Sequence, residues 1–361
     1  STPDTGVKRL IPDYIKYETG IYFLGNFQRS NSFLWEWGLR LDHVFYDSKK
    51  YYYKSVWNER NYNSLFKDFE TGREFANQIL TNPKFNYLNL SAQTGISLNI
   101  LNNLKFKMSY ILSQRAPNPS ELFSDGLHHA MAAIEYGSLS IEPETSHKFL
   151  FSFSKNKQNY SWSLEPFISK TYDYIFIEPT GLKQTIRGAF PVWTYDSTDA
   201  FLTGIDINSS VKINKRLMFD VGLSYTHAQD VINEEPIILI PPFNTFQKLK
   251  FTPFKGNWTL EFTNQTSAKQ NRYPNSNFIF DYIENGKLVS KNVEISDSPS
   301  GFQRLDAIFS TQISNQNKMK STLRLIVQNL TNSEYRDYLN RMRYYSADLG
   351  RNFHIQLNFK Y

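Results

Sequence analysis

Apolar and polar residues alternate along much of this chain. Near its end Phe353, Ile355, Leu357, Phe359 and Tyr361 are apolar, while His354, Gln356, Asn358 and Lys360 between them are polar. A period of two puts the two sets on opposite faces of an extended strand. The same alternation runs through residues 33–42, 104–110, 149–154, 219–226 and 258–263, and with one slip each through 201–208 and 323–328. Weaker stretches surround Tyr22, Ile96, Phe167, Lys250 and Ala307. The pattern predicts about thirteen strands and no amphipathic helix among them.

The connections between these stretches alternate in length. Short ones carry turn residues: Asn102-Asn103, Asn156 to Asn159, Asn214-Lys215, Lys255-Gly256 and Asn315 to Lys318. Long ones, rich in Tyr, Asn, Asp and Pro, are expected at 48–83, 117–145, 178–198, 229–245, 269–300 and 330–349. Six long loops at regular alternation are foreign to a compact soluble domain. Short turns at one rim and long loops at the other suit a transmembrane antiparallel β-barrel, with apolar positions toward lipid and Glu36, Asp220, Glu261 and Arg324 toward the lumen. Trp35, Trp37, Tyr160, Trp162 and Tyr225 sit where interfacial aromatic girdles belong. A soluble β-sandwich also alternates, but it leaves strands this long and this aromatic on their apolar side unexplained.

Composition narrows the functions. The chain has 361 residues, no cysteine and 16% aromatic residues, so disulfide frameworks, thiol nucleophiles and cysteine zinc sites are out. With a mean hydropathy of -0.50, no apolar run approaches the length of a spanning helix. A net charge of +6 from 40 basic and 34 acidic side chains, without a polybasic run, gives no case for nucleic acid. No Gly-x-Ser-x-Gly, phosphate loop, His-Glu-x-x-His or Gly-x-Gly-x-x-Gly is present, so no enzyme, catalytic residue or cofactor is expected. The opening Ser1-Thr-Pro-Asp4 carries no signal-peptide pattern, and the chain is read as part of a longer protein.

Three passages resemble one family, the TonB-dependent outer-membrane receptors, in their C-terminal barrel portion. The first is Arg115-Ala-Pro with Glu121-Leu-Phe123, then Glu135-Tyr-Gly137 and Leu139-Ser-Ile-Glu-Pro-Glu-Thr-Ser146. The second is Tyr172-Asp-Tyr-Ile175 with Asp199-Ala-Phe-Leu-Thr-Gly-Ile-Asp206, and the third is Val327-Gln-Asn-Leu-Thr-Asn-Ser-Glu-Tyr335. The resemblance implies a barrel of 22 strands behind an N-terminal plug. About thirteen strands cannot close such a wall, so residues 1–361 are expected to be its C-terminal part, with the plug and first strands absent from this chain. An isolated piece would carry two unpaired edges. The terminal aromatics Phe359 and Tyr361 look like the signal read by the barrel-assembly machinery.

The resemblance further implies active import of a scarce nutrient, a metal ion or a chelate such as a siderophore, across the outer membrane of a Gram-negative bacterium. The implied partners are outer-membrane lipid, the TonB–ExbB–ExbD complex acting through the missing plug, and the N-terminal remainder of the receptor. Two other readings stand beside it: a passive or fatty-acid-type channel of about fourteen strands, and a non-transporting surface barrel acting as adhesin or assembly partner.

Glu121, Asp125, His128 and His129 offer imidazole and carboxylate donors of the type zinc takes, in a passage similar to one in metal-uptake members of the family, with Met131 where that pattern has threonine. Adjacent side chains on an extended segment point apart, which counts against both histidines holding one ion. The bland alternative is a passage that merely orders its loop. Arg115 and Arg187 are candidates to hold an anionic chelate, and Trp193 and Tyr195 to grip its apolar part. His43, His147, His227 and His354 are expected to be lumen or girdle residues.

Overall fold

The computed structural model describes residues 10–100, 103–253, 255–295, 297–316 and 319–360. Thirteen strands form one antiparallel wall: β1 (Tyr14–Ser30), β2 (Phe33–Ser48), β6 (Lys84–Asn99), β7 (Leu104–Arg115), β10 (Glu144–Asn156), β11 (Tyr160–Thr185), β12 (Gly188–Lys212), β13 (Leu217–Asp230), β14 (Asn244–Phe251), β15 (Trp258–Ser267), β18 (Phe302–Gln316), β19 (Met319–Gln328) and β20 (Asn352–Lys360). Each pairs with the wall strand before and after it in the chain. The remaining strands lie in the long connections. These are β3 (Lys50–Tyr53), β4 (Glu70–Phe75) and β5 (Gln78–Thr81) in one, β8 (Asp125–His128) and β9 (Ala133–Tyr136) in the next, and the hairpin of β16 (Asn277–Glu284) and β17 (Lys287–Glu294) in a third.

Alternation fixes the two faces. One register row crosses six strands as Phe219, Leu249, Phe262, Ala307, Val327 and Phe353, all apolar. The next row on β13, β14, β15 and β18 is Asp220, Lys248, Thr263 and Asp306. A slip of one residue would exchange these sets, so the register is held by the pattern itself. Charges on the polar face meet within it: Lys248 and Asp220 at 3.0 Å, Lys250 and Glu261 at 3.1 Å, Arg40 and Asp42 at 2.6 Å. The tight turns use the expected chemistry. Asn103 takes a left-handed φ of 63°, and the Asn214 side chain accepts the amides of Arg216 and Leu217. Among the described residues no strand covers the outer edge of β1 or of β20.

One expectation fails. Residues 178–198 are not a loop: β11 and β12 run on past the rim as a single hairpin turning at Ile186-Arg187. A register shift at Pro179/Gly181 lets the ladder absorb the proline and glycine that suggest a loop, and another at Thr171/Tyr174 accommodates Asp173, whose φ is 52°. Strand β9 then pairs in parallel with β12, Trp193 opposite Glu135, and supplies hydrogen bonds to the extension.

The buried core lies at the long-loop rim rather than within the wall. One cluster joins Tyr46, Tyr52, Trp57, Tyr62, Leu122, Phe123 and Leu139. A second joins Ala133, Trp193, Ile238 and Ile295, drawn from four separate connections or their flanks. Each large aromatic buried in this way contributes on the order of 2–3 kcal/mol of transfer free energy.

Candidate functional site

The candidate residues sit in this packed rim. Arg115, the last residue of β7, forks between Glu121 at 2.9 Å and Glu144 at 2.7 Å. Glu121 is buried and also accepts the Asn118 amide at 2.7 Å, closing a capping box on the short helix Pro119–Phe123. Its carboxylate is therefore occupied by the local fold. Asp125 is buried 3.5 Å from the equally buried Lys50 ammonium, which donates to the Phe123 carbonyl at 2.8 Å and lies over the Tyr52 ring. That pair joins the first long connection to the second.

His128 and His129 part company, as their adjacency requires. His128 Nδ1 meets Glu135 Oε1 at 3.0 Å, and Arg341 Nη2 reaches the same oxygen at 2.7 Å from the last long connection. The Arg341 guanidinium lies over the Trp193 ring, 5.3 Å from its centre. Glu135 is buried, so one carboxylate neutralises a cation from a distant loop while orienting a half-exposed imidazole. His129 begins a 3-10 turn and is exposed. Among the described residues no group of three or more His, Asp or Glu side chains gathers as a metal cluster.

The other candidates separate too. Arg187 is exposed at the hairpin tip, Trp193 is buried in the second cluster and Tyr195 packs half-buried against the first. Phe359 is exposed on β20, and Tyr361 lies outside the described residues. His43, His147 and His227 all fall on the apolar face of the wall and His354 on the polar face. In the last connection Arg343 is buried between the Tyr338 and Tyr344 rings and donates to the Tyr338 carbonyl at 2.8 Å. Burial pulls its guanidinium pKa down and pushes the Tyr344 hydroxyl up to about 12. The Tyr52 hydroxyl is raised well above its ordinary value for the same reason.

A family profile described as "TonB dependent receptor-like, beta-barrel" matches residues 2–330. This chain belongs to the TonB-dependent receptors. Members of that family are outer-membrane receptors and transporters rather than enzymes. No protein of curated function matches the receptor chain in sequence. Among solved structures it is similar to the copper transporter OprC, with 16% identity, a TM-score of 0.70, and 96% of this chain against 48% of that one. It is also similar to the siderophore receptor PiuA from Acinetobacter baumannii (14%, 0.63, 97% against 44%) and to the FrpB iron transporter from Neisseria meningitidis (13%, 0.60, 96% against 45%). The chain thus spans about half the length of the structures it matches.

Three residues central to this rim escape sequence reasoning. Lys50 and Arg341 are ordinary basic residues in loop sequence, and their partners lie 75 and 206 positions away (125 minus 50; 341 minus 135). Glu135 does belong to a quoted motif, Glu135-Tyr-Gly137, but nothing local says which cations it holds.

Proposed function

We propose that this chain is the greater part of the wall and the ligand-side rim of an outer-membrane receptor that imports a metal ion or metal chelate. The remainder of the same protein completes the wall and supplies the plug, through which the TonB–ExbB–ExbD complex acts, and the barrel-assembly machinery inserts the whole. The observation that carries this reading is the rim: connections that are long in sequence are locked to one another by Glu135, Arg341, Lys50 and Asp125. Rigid loops over a wall are what recognition of a scarce ligand requires, because ordering them in advance lowers the cost of binding. The similarity to OprC, a copper transporter by its description, favours a metal over a carbohydrate.

Glu121 and Asp125 already have protein partners and Glu135 holds His128 Nδ1, so the metal contact falls first to the exposed His129, with the other ring nitrogen of His128 and Arg187 at the hairpin tip as further ligand contacts. Uptake of copper, zinc and iron by a deletion strain carrying either the wild-type receptor or its His128→Ala/His129→Ala variant tests this. The expected result is normal uptake of one metal with the wild type and a fall of about tenfold with the variant, one lost coordinating or charge-assisted contact. Normal uptake by the variant removes the histidine assignment. A deletion strain without any metal or chelate defect removes the import reading.

A further inference from the structure

The two rims of the wall differ in charge. Each of the six short turns, at 28–34, 99–107, 154–161, 211–217, 250–257 and 314–321, carries Lys or Arg, and none carries Asp or Glu. The long connections do not share that bias: residues 117–145 hold five Asp or Glu and no Lys or Arg. The modest net charge of +6 thus conceals a wholly basic rim at one end.

Register fixes where these cations stand. Lys105, Lys107 and Lys212 lie on the polar face of the wall, the face of Asp220 and Lys248. Lys248 and Lys250 on that face each hold a carboxylate, whereas among the described residues Lys105, Lys107 and Lys212 hold none. The membrane side at the same level is Leu104, Phe106, Phe153, Val211 and Phe219, with Lys155 its one cation. A lipid headgroup would be across the wall from the three lysines and does not account for them. Lys157, Lys215 and Lys255 are exposed in the turns themselves.

Three neighbouring turns also share an open cavity of about 610 Å³, lined by Lys212, Lys215, Arg216 and Lys250 with Asn159 and Asn214, and by no carboxylate. Hairpins recur every second strand, about 10 Å apart along the rim. One exposed lysine contributes little alone, so binding here depends on engaging many at once. A polymer with repeated anionic groups does that, and a single small anion does not.

We propose that the short-turn rim docks on the carboxylate-bearing peptidoglycan of the cell wall, with the cavity at Lys212 and Lys215 taking an acidic stem peptide. This rests on the reading that the wall spans the outer membrane with its short turns toward the periplasm. The test mixes full-length receptor in mild detergent with purified peptidoglycan sacculi and pellets the bound fraction. Wild type should co-sediment at low salt and be released at high salt, because exposed charges are screened. Lys157→Ser/Lys215→Ser/Lys255→Ser, with one change in each of three turns, should bind about tenfold less. Sacculi whose carboxylates have been amidated should leave wild type in solution. Heat-modifiable gel migration identifies folded barrels in each preparation. Equal binding by folded wild type and triple variant overturns the site. Wild type that leaves intact sacculi unbound overturns it too, and its retention of phosphatidylglycerol in mixed micelles would then assign the rim to lipid. Labelling of Lys215→Cys by an impermeant maleimide in intact cells would instead overturn the inward orientation beneath the proposal.

Discussion

Tyr344 and Tyr52 carry hydroxyls that burial keeps protonated, one in the last long connection and one in the first. An acid whose folded pKa lies above its unfolded value near 10 stabilises the fold fully below pH 10. That contribution is lost as pH rises through the folded value. For Tyr344 the window runs from about 10 to about 12. Titration of the receptor followed by tyrosinate absorbance should therefore show late-ionising tyrosines, and the rim should loosen over that interval before the wall unfolds. Ionisation of every tyrosine near pH 10 with the rim intact would contradict this. Gly137 illustrates how a residue can be legible as a motif and opaque as a cause. A Cβ there would stand 2.6 Å from the Glu121 carbonyl oxygen and 2.8 Å from the Leu122 carbonyl carbon, so the position needs a close backbone approach, which sequence alone does not display.

At the scale of elements, the wall was readable and the rim was not, for one reason. A strand with one apolar face announces itself through its own neighbours at i±2, whereas the rim is held by partners far apart in sequence. Thus β13 and β20 follow directly from Phe219–Tyr225 alternation and Phe353–Phe359 alternation, but the hairpin beyond the rim reads as a loop because Pro179 and Gly181 interrupt its pattern. The small helix Lys54–Glu59 gives no period at all and owes its place to Trp57, buried against Tyr52 and Tyr62. The tie between the second and last long connections is likewise tertiary, and it can be cut. Glu135→Gln leaves Arg341 largely buried without a counter-charge, at a cost of about 3 kcal/mol. Hydrogen exchange and limited proteolysis should then find residues 329–351 opening while the wall strands stay protected. Unchanged protection there would mean that the Trp193 contact alone holds the loop.

For the molecule as a whole, the wall has one face for hydrocarbon and one for a polar interior, and neighbouring residues on β20 test it. Leu357→Arg, in the complete receptor reconstituted in bilayers, should lower stability by about 2–4 kcal/mol, while Asn358→Arg on the opposite face should change it by a few tenths. Matching losses at the two positions would mean that the faces do not differ. The same geometry makes the β11–β12 extension continuous with the wall. It is one hairpin ladder from the tip at Ile186-Arg187 down into the wall, paired sideways with β9 and shifted in register at two places. Ladder hydrogen bonding is interrupted at Thr171/Tyr174 and Pro179/Gly181 and continuous between and beyond them. The extension is therefore stiff along its paired lengths and most compliant at the two places where its register slips.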